Sequence, residues 1–243
     1  MLVRLYPLVN LAQAVFLATW SCFWIAVAGL ASLFSPDWPL ILARRAWAPG
    51  LIAFTGAHVE LLPSAALDPK GPYVFVMNHQ SMFDIPLAFA MLPFNLHFVY
   101  KRSLLFVPVL GFYLWRTKMI PIDRSNTERA YRSLQAGVSG LKAGRSIMAF
   151  PEGTRSPGQV RPFKRGVFLL AREAGVPIVP VAIEGSGDVL EPGTFKVRPR
   201  RVRMKIGEPI PTHDCPTDRK ALEALRERAA EEVRRLKAEL TVL

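Results

Sequence analysis

The sequence predicts an α/β fold: a single domain with a largely parallel or mixed central sheet flanked by helices, preceded by an N-terminal membrane-associating helical pair. The helical segment takes residues 1–58, and the α/β domain, ending in an amphipathic helix, takes 59–243. Three observations carry this. Short apolar runs alternate with helical patterns through the middle of the chain. From Leu5 to Pro36 there is no charged residue. Two polar clusters, one at 78–84 and one at 151–155, each follow directly on an apolar run. The C-terminal edge of a strand is where open α/β sheets build their sites.

The chain has 243 residues, enough for one such domain plus an appendage. Half of it is apolar, and the mean hydropathy of +0.22 is high for a soluble enzyme. A formal net charge of +12 favours an anionic partner: nucleic acid, anionic lipid or a phosphorylated substrate. No helix-turn-helix, RRM or zinc-finger spacing occurs, so no nucleic acid is expected and anionic lipid fits better. Cys22 and Cys215 form no framework and read as free thiols in a reducing compartment. His58, His97 and His213 lack metal-ligand spacing, and neither metal nor cofactor is expected.

The elements follow in order. Residues 8–34 are apolar apart from Asn10, Gln13, Thr19, Ser21 and Ser32. That length can cross a bilayer, which takes about 20 residues. A second apolar stretch, 38–55, is interrupted by Arg44-Arg45 and Pro49-Gly50 and reads as too broken to span. The pair either spans once or lies partly in one leaflet. A cleaved signal peptide ending near Ala26-Val27-Ala28 and a buried core helix are the competing readings. Trp20, Trp24 and Trp38 suit interfacial anchoring. The basic remainder of the chain argues for the cytoplasmic face of the cytoplasmic membrane.

Candidate strands are 73–77, 96–100, 119–122, 146–150, 178–183 and 202–206; candidate helices are 85–91, 104–114, 127–142 and 166–174. Asn126 is placed to cap the third helix, with Glu128 in its first turn and Gly144 beyond its end. Lys196, Arg198, Arg200, Arg201, Arg203 and Lys205 alternate with apolar residues, as in an edge strand protected by charge. The functional alternative for that face is contact with lipid phosphates or an acidic carrier protein. The last helix, 217–240, repeats apolar residues at helical spacing and is expected to pack on the domain.

The first polar cluster is Asn78-His79-Gln80-Ser81-Met82-Phe83-Asp84. Residues five apart on one helix point about 140° away from each other. A His79–Asp84 pair therefore requires His79 in the loop and Asp84 in the first turn of the next helix, with Ser81 as a plausible N-cap. A carboxylate fixes the imidazole tautomer, leaving the other ring nitrogen to act as general base. A capping and turn pair accounts for the spacing equally well. No nucleophile elbow is present, so the nucleophile would be a substrate hydroxyl. The second cluster, Pro151-Glu152-Gly153-Thr154-Arg155, with Arg161, Lys164 and Arg165 beyond it, suits a phosphate, although solvated turn charges give the same pattern.

Taken together, these segments resemble the glycerolipid acyltransferases, in particular the 1-acylglycerol-3-phosphate (lysophosphatidate) acyltransferase family. That family carries Asn-His-x-x-x-x-Asp, a block ending Ile-Asp-Arg, then Phe-Pro-Glu-Gly-Thr-Arg-Ser, then a Val-Pro-Ile-Val-Pro-Val block. All four occur here in order: 78–84, Ile122-Asp123-Arg124, 150–156 and 176–181. The resemblance implies that His79 deprotonates the acceptor hydroxyl and that Asp84 orients it. It implies that Arg155, with Lys101 and Arg124, holds the acceptor phosphate, and that Glu152, Gly153 and Thr154 shape the acceptor pocket. It also implies direct attack on an acyl thioester, either acyl-CoA or acyl carrier protein, with lysophosphatidate as acceptor, membrane phospholipids as surroundings and no covalent enzyme intermediate. Glycerol-3-phosphate or another lysolipid as acceptor, a non-catalytic anionic-lipid-binding protein, and a thioester hydrolase are the alternatives.

Overall fold

The computed structural model describes residues 6–122 and 127–242. Asn126 and Glu128 as helix start signals cannot be followed there, since Asn126 and the side chain of Glu128 lie outside the described residues. In chain order the elements are α1 (Tyr6–Ala31), α2 (Trp38–Leu42), α3 (Ala48–Thr55), β1 (His58–Leu61), β2 (Val74–Met77), α4 (Asp84–Met91) and β3 (Leu96–Lys101). Next come α5 (Leu110–Arg116), β4 (Ile120–Ile122), α6 (Thr127–Lys142), β5 (Ser146–Ala149), α7 (Gly166–Ala174), β6 (Ile178–Glu184), the short α8 (Ser186–Val189), β7 (Arg201–Ile206) and α9 (Arg219–Val242).

A strand covered on both faces needs apolar residues at every position. Every residue of β2 and β5 is buried, as are the first six of β6. Phe75, Met77, Met148, Val179 and Val181 face one layer, with α4 and the N-terminal helices. Val74, Val76, Ile147, Ala149 and Ile178 face the other, with α6, α7 and α9. The described strands form one seven-stranded sheet in the order β1-β7-β6-β2-β5-β3-β4. From β6 to β4 all neighbours run parallel; β7 is antiparallel to β6, and β1 is parallel to β7.

The sheet is therefore mixed, as expected, but two expectations are corrected. The basic strand β7 is not an edge, because β1 covers it, pairing His58 with Arg201 and Val59 with Val202. The helix expected over 104–114 is broken: a 3-10 stretch (Arg102–Phe106) ends before Pro108, and α5 begins only after Val109, whose φ is 65°. Proline removes a helical donor, and Val109 in left-handed backbone cannot continue a helix.

Residues 38–55 are helical throughout, α2 passing through a π-helical turn (Ala43–Trp47) into α3. Pro49 sits in the first turn of α3, where a missing N–H costs little. One face of α1 packs on this run. Trp20 Nε1 donates to the Trp47 carbonyl at 3.0 Å, Trp47 Nε1 donates to Ser21 Oγ at 3.2 Å, and the Phe16 ring stacks on Phe54. The other face, including Leu8, Leu11, Val15, Phe23 and Leu30, is exposed, so α1 is not a core helix. Over Leu8–Ala31 it is long and apolar enough to cross a membrane. At the other end α9 lies across β6 and β7, burying Leu222, Leu225, Ala229, Val233, Leu236 and Leu240. Lys237 Nζ pairs with Glu184 at 2.7 Å.

Candidate active site

The site starts where β2 ends. β6 runs on after Met77, and the Asn78 side chain continues the pairing in place of backbone: its Nδ2 donates to the Ile183 carbonyl and its Oδ1 accepts from the Ile183 amide, both at 2.9 Å. This releases the chain from the sheet at His79 with its position already fixed.

His79 Nδ1 lies 2.7 Å from Asp84 Oδ2. The same oxygen accepts the amides of Gln80 at 2.7 Å and Ser81 at 2.9 Å, and Asp84 is fully buried. Three donors aimed at one oxygen make it an acceptor throughout, so Nδ1 carries the proton and Nε2 is the ring nitrogen able to accept one. Asp84 opens α4, as the spacing requires, but Ser81 does not cap it. Ser81 Oγ accepts from the Phe83 amide and donates to the Leu190 carbonyl, fastening the turn to the end of α8 instead.

The second cluster leaves β5, the neighbour of β2, at the same sheet edge. The Phe150 ring stacks on the His79 imidazole, with centroids 4.0 Å apart and planes 17° from parallel. Glu152 is buried, and its two oxygens are taken by backbone donors: Oε1 by the His79 amide at 2.8 Å, Oε2 by the Arg161 amide at 3.0 Å. The Ser156 amide donates to the His79 carbonyl at 2.6 Å. His79 is thus held through its amide, its carbonyl, its Nδ1 and its ring face. Gly153, at φ 72°, makes the sharp turn between Glu152 and the exposed Thr154 and Arg155.

His79, Asp84 and Glu152 are therefore brought together, and Gly153, Thr154 and Arg155 lie on the loop pinned beside them. Lys101 is exposed at the C-terminal end of β3, on the same sheet edge. Arg124 lies outside the described residues. Sequence reasoning did not single out Asn78, Phe150 or Gln80 for a role. Gln80 Nε2 donates to Glu184 at 3.1 Å and its Oε1 accepts from Ser186, linking the His79 turn to β6 and, through Lys237, to α9. Their signal in the sequence is membership of the two motif blocks beside His79 and Glu152; the partners through which they act, Ile183, Glu184 and Ser186 for Asn78 and Gln80 and the His79 ring for Phe150, are distant along the chain.

A protein-family model described as Acyltransferase matches residues 58–184, from β1 through both clusters to the end of β6. The chain belongs to the Acyltransferase family. Relatives named 1-acyl-sn-glycerol-3-phosphate acyltransferase agree with that membership. The protein from Salmonella typhimurium is 37% identical over 159 residues, a match covering 64% of this chain and 65% of that protein. The one from Limnanthes alba is 30% identical over 226 residues, covering 85% and 80%. Among solved structures, the 1-acyl-sn-glycerophosphate (LPA) acyltransferase of Thermotoga maritima superposes with a TM-score of 0.82 at 25% identity, over 100% of this chain and 99% of that one. The apolar helix ahead of the acyltransferase domain, together with the bacterial relatives, points to membrane association.

Proposed function

We propose that the chain transfers a fatty acyl group from an acyl thioester, acyl-CoA or acyl carrier protein, to the sn-2 hydroxyl of 1-acylglycerol-3-phosphate, forming phosphatidate. The observation that carries this is the His79–Asp84 pair, with Nδ1 committed to the carboxylate and the ring held on Phe150. His79 Nε2 takes the proton of the acceptor hydroxyl as the oxygen attacks the thioester carbonyl. The C–S bond then breaks, and the imidazolium returns its proton to the leaving thiolate. Asp84 and the face of Phe150 stabilise the imidazolium in between. No enzyme nucleophile is needed, because the acceptor supplies the hydroxyl. Proton transfer of this kind contributes about 100- to 10,000-fold, and binding of the two substrates side by side supplies the rest.

Arg155 binds the acceptor phosphate, with Lys101 and Arg124 contributing charge; Gly153 and Thr154 line the acceptor side, and Glu152 fixes the loop that carries them. The names of the relatives support this substrate assignment. We place the N-terminal helices in the cytoplasmic membrane, with the catalytic domain on the cytoplasmic face, where both thioester donors are found. The experiment is acyl transfer from acyl-CoA and from acyl carrier protein to lysophosphatidate, with glycerol-3-phosphate and other lysolipids in parallel. Phosphatidate formed by the native protein and lost in His79→Ala is the expected result. An active His79→Ala variant overturns the mechanism, and transfer only to another acceptor overturns the substrate.

A further inference from the structure

The 3-10 stretch after β3 and helix α5 carry an apolar surface that the acyl-transfer mechanism does not use. Phe106 is 79% exposed and Trp115 67%, and Val107, Val109 and Phe112 between them are also exposed. Soluble surfaces rarely gather so many large apolar side chains in one place. The patch is continuous with a second one from a distant part of the chain. A Cβ on Gly29 of α1 would lie 3.6 Å from the Phe112 ring, and Arg116 donates to the Ser32 carbonyl just beyond α1. Next to that junction Leu30, Leu33, Phe34 and Trp38 are exposed as well.

Along the 85–122 side of the patch the charge has one sign, whereas the exposed Asp37 lies beside Trp38 at its far end. Residues 85–122 contain no Asp or Glu, whereas Lys101, Arg102, Arg116 and Lys118 flank the apolar side chains on both sides. An apolar face with a basic rim matches the boundary between acyl chains and anionic headgroups. Its place in the sheet fits too. β2, β5 and β3 are parallel neighbours, so Lys101 leads into the patch from the same edge that releases His79 and Phe150.

We propose that the 3-10 stretch and α5 form a second membrane contact, inserting Phe106, Val107 and Trp115 into an anionic bilayer alongside α1. Two contacts from separate chain segments fix the tilt of the domain, so that the catalytic edge of the sheet faces the lipid. The proposal builds on membrane association by α1, and its consequence for turnover rests on the acyl-transfer reading.

The test uses the full chain, vesicles of phosphatidylglycerol and phosphatidylethanolamine, and the triple variant Phe106→Ser, Val107→Ser, Trp115→Ser. Vesicle affinity is expected to fall about tenfold or more. Transfer to vesicle-borne lysophosphatidate should fall with it, while transfer to a short-chain lysophosphatidate dissolved as monomer should persist, reporting an intact fold. Trp115→Phe, which keeps the surface apolar, should remove one component of tryptophan quenching by bromine-labelled phospholipid. Unchanged vesicle affinity in the triple variant, or unchanged quenching in Trp115→Phe, overturns the proposal. A native dimer that becomes monomeric in the triple variant with vesicle binding intact overturns it in favour of a contact between copies. Binding lost in the triple variant supports it even where the native chain transfers no acyl group to either form of lysophosphatidate, an outcome that rejects lysophosphatidate as the acceptor alone.

Discussion

The imidazole of His79 and the ring of Phe150 lie face to face, 4.0 Å between centroids, and this stack joins the turn after β2 to the loop after β5. An aromatic face favours a cation above it, and it also fixes the ring rotamer. Phe150→Tyr should retain most activity. Phe150→Leu, similar in bulk but without the π face, should lower kcat about tenfold with KM little changed, as steady-state kinetics with both substrates will show.

In the proposed mechanism Asp84 serves both the imidazole and the turn, and two variants separate these roles. Asp84→Asn keeps an oxygen for the turn amides but withdraws the negative charge behind the imidazole. Its kcat is expected to drop about 100- to 10,000-fold while thermal unfolding moves little. Asp84→Ala leaves the buried Gln80 and Ser81 amides without an acceptor, and should unfold at clearly lower temperature. Equal unfolding temperatures for the two variants would reject this division.

Glu152 bridges two backbone donors from different loops, so its removal should be felt as stability before chemistry. Glu152→Ala is expected to cost about 1–3 kcal/mol, from two part-buried amides left without their acceptor, and Glu152→Gln less, since it keeps one acceptor oxygen. Denaturant unfolding in detergent compares the two directly.

His97 makes stability depend on pH. Burial pulls its pKa below the ordinary 6.5, opposed by the hydrogen bond its ring Nδ1 donates to the Thr117 carbonyl. The folded chain therefore holds this histidine neutral, and the unfolded chain takes up a proton first as pH falls. Its contribution is fully present above 6.5 and is lost as pH drops from there through the folded-state value. His97→Asn keeps a donor near the carbonyl without titrating. The fall in melting temperature between about pH 7.5 and about pH 5.5 should be smaller in His97→Asn than in the native protein.

Much of the site was legible because its signals are local. A carboxylate five residues past a histidine, directly after a buried run, left one geometry in which they meet, and Asp84 stands there. The strands and helices from 73 to 206 were legible for the same reason, as periodicity and punctuation act within a few residues. What escaped depends on partners far along the chain. Nothing near 58–61 announces that His58–Leu61 will cover β7, and so the charges of β7 read as protection for an open edge. Ser81 read as a helix cap because Leu190, its actual acceptor, lies beyond any local window. The break at Pro108 and Val109 was local and carried a proline; the apolar run on both sides outweighed it.

The pairing of β1 with β7 orders events in time. The α1–α3 segment leaves the ribosome before any of the sheet, and β1 emerges next with no neighbour to bind, since its partner is residues 201–206. The central parallel strands can gather meanwhile, but the sheet closes only when β7 and then α9 arrive. The apolar helices therefore have the whole of the intervening translation in which to find lipid. Under the proposed membrane association, the chain completes its fold already berthed on the bilayer.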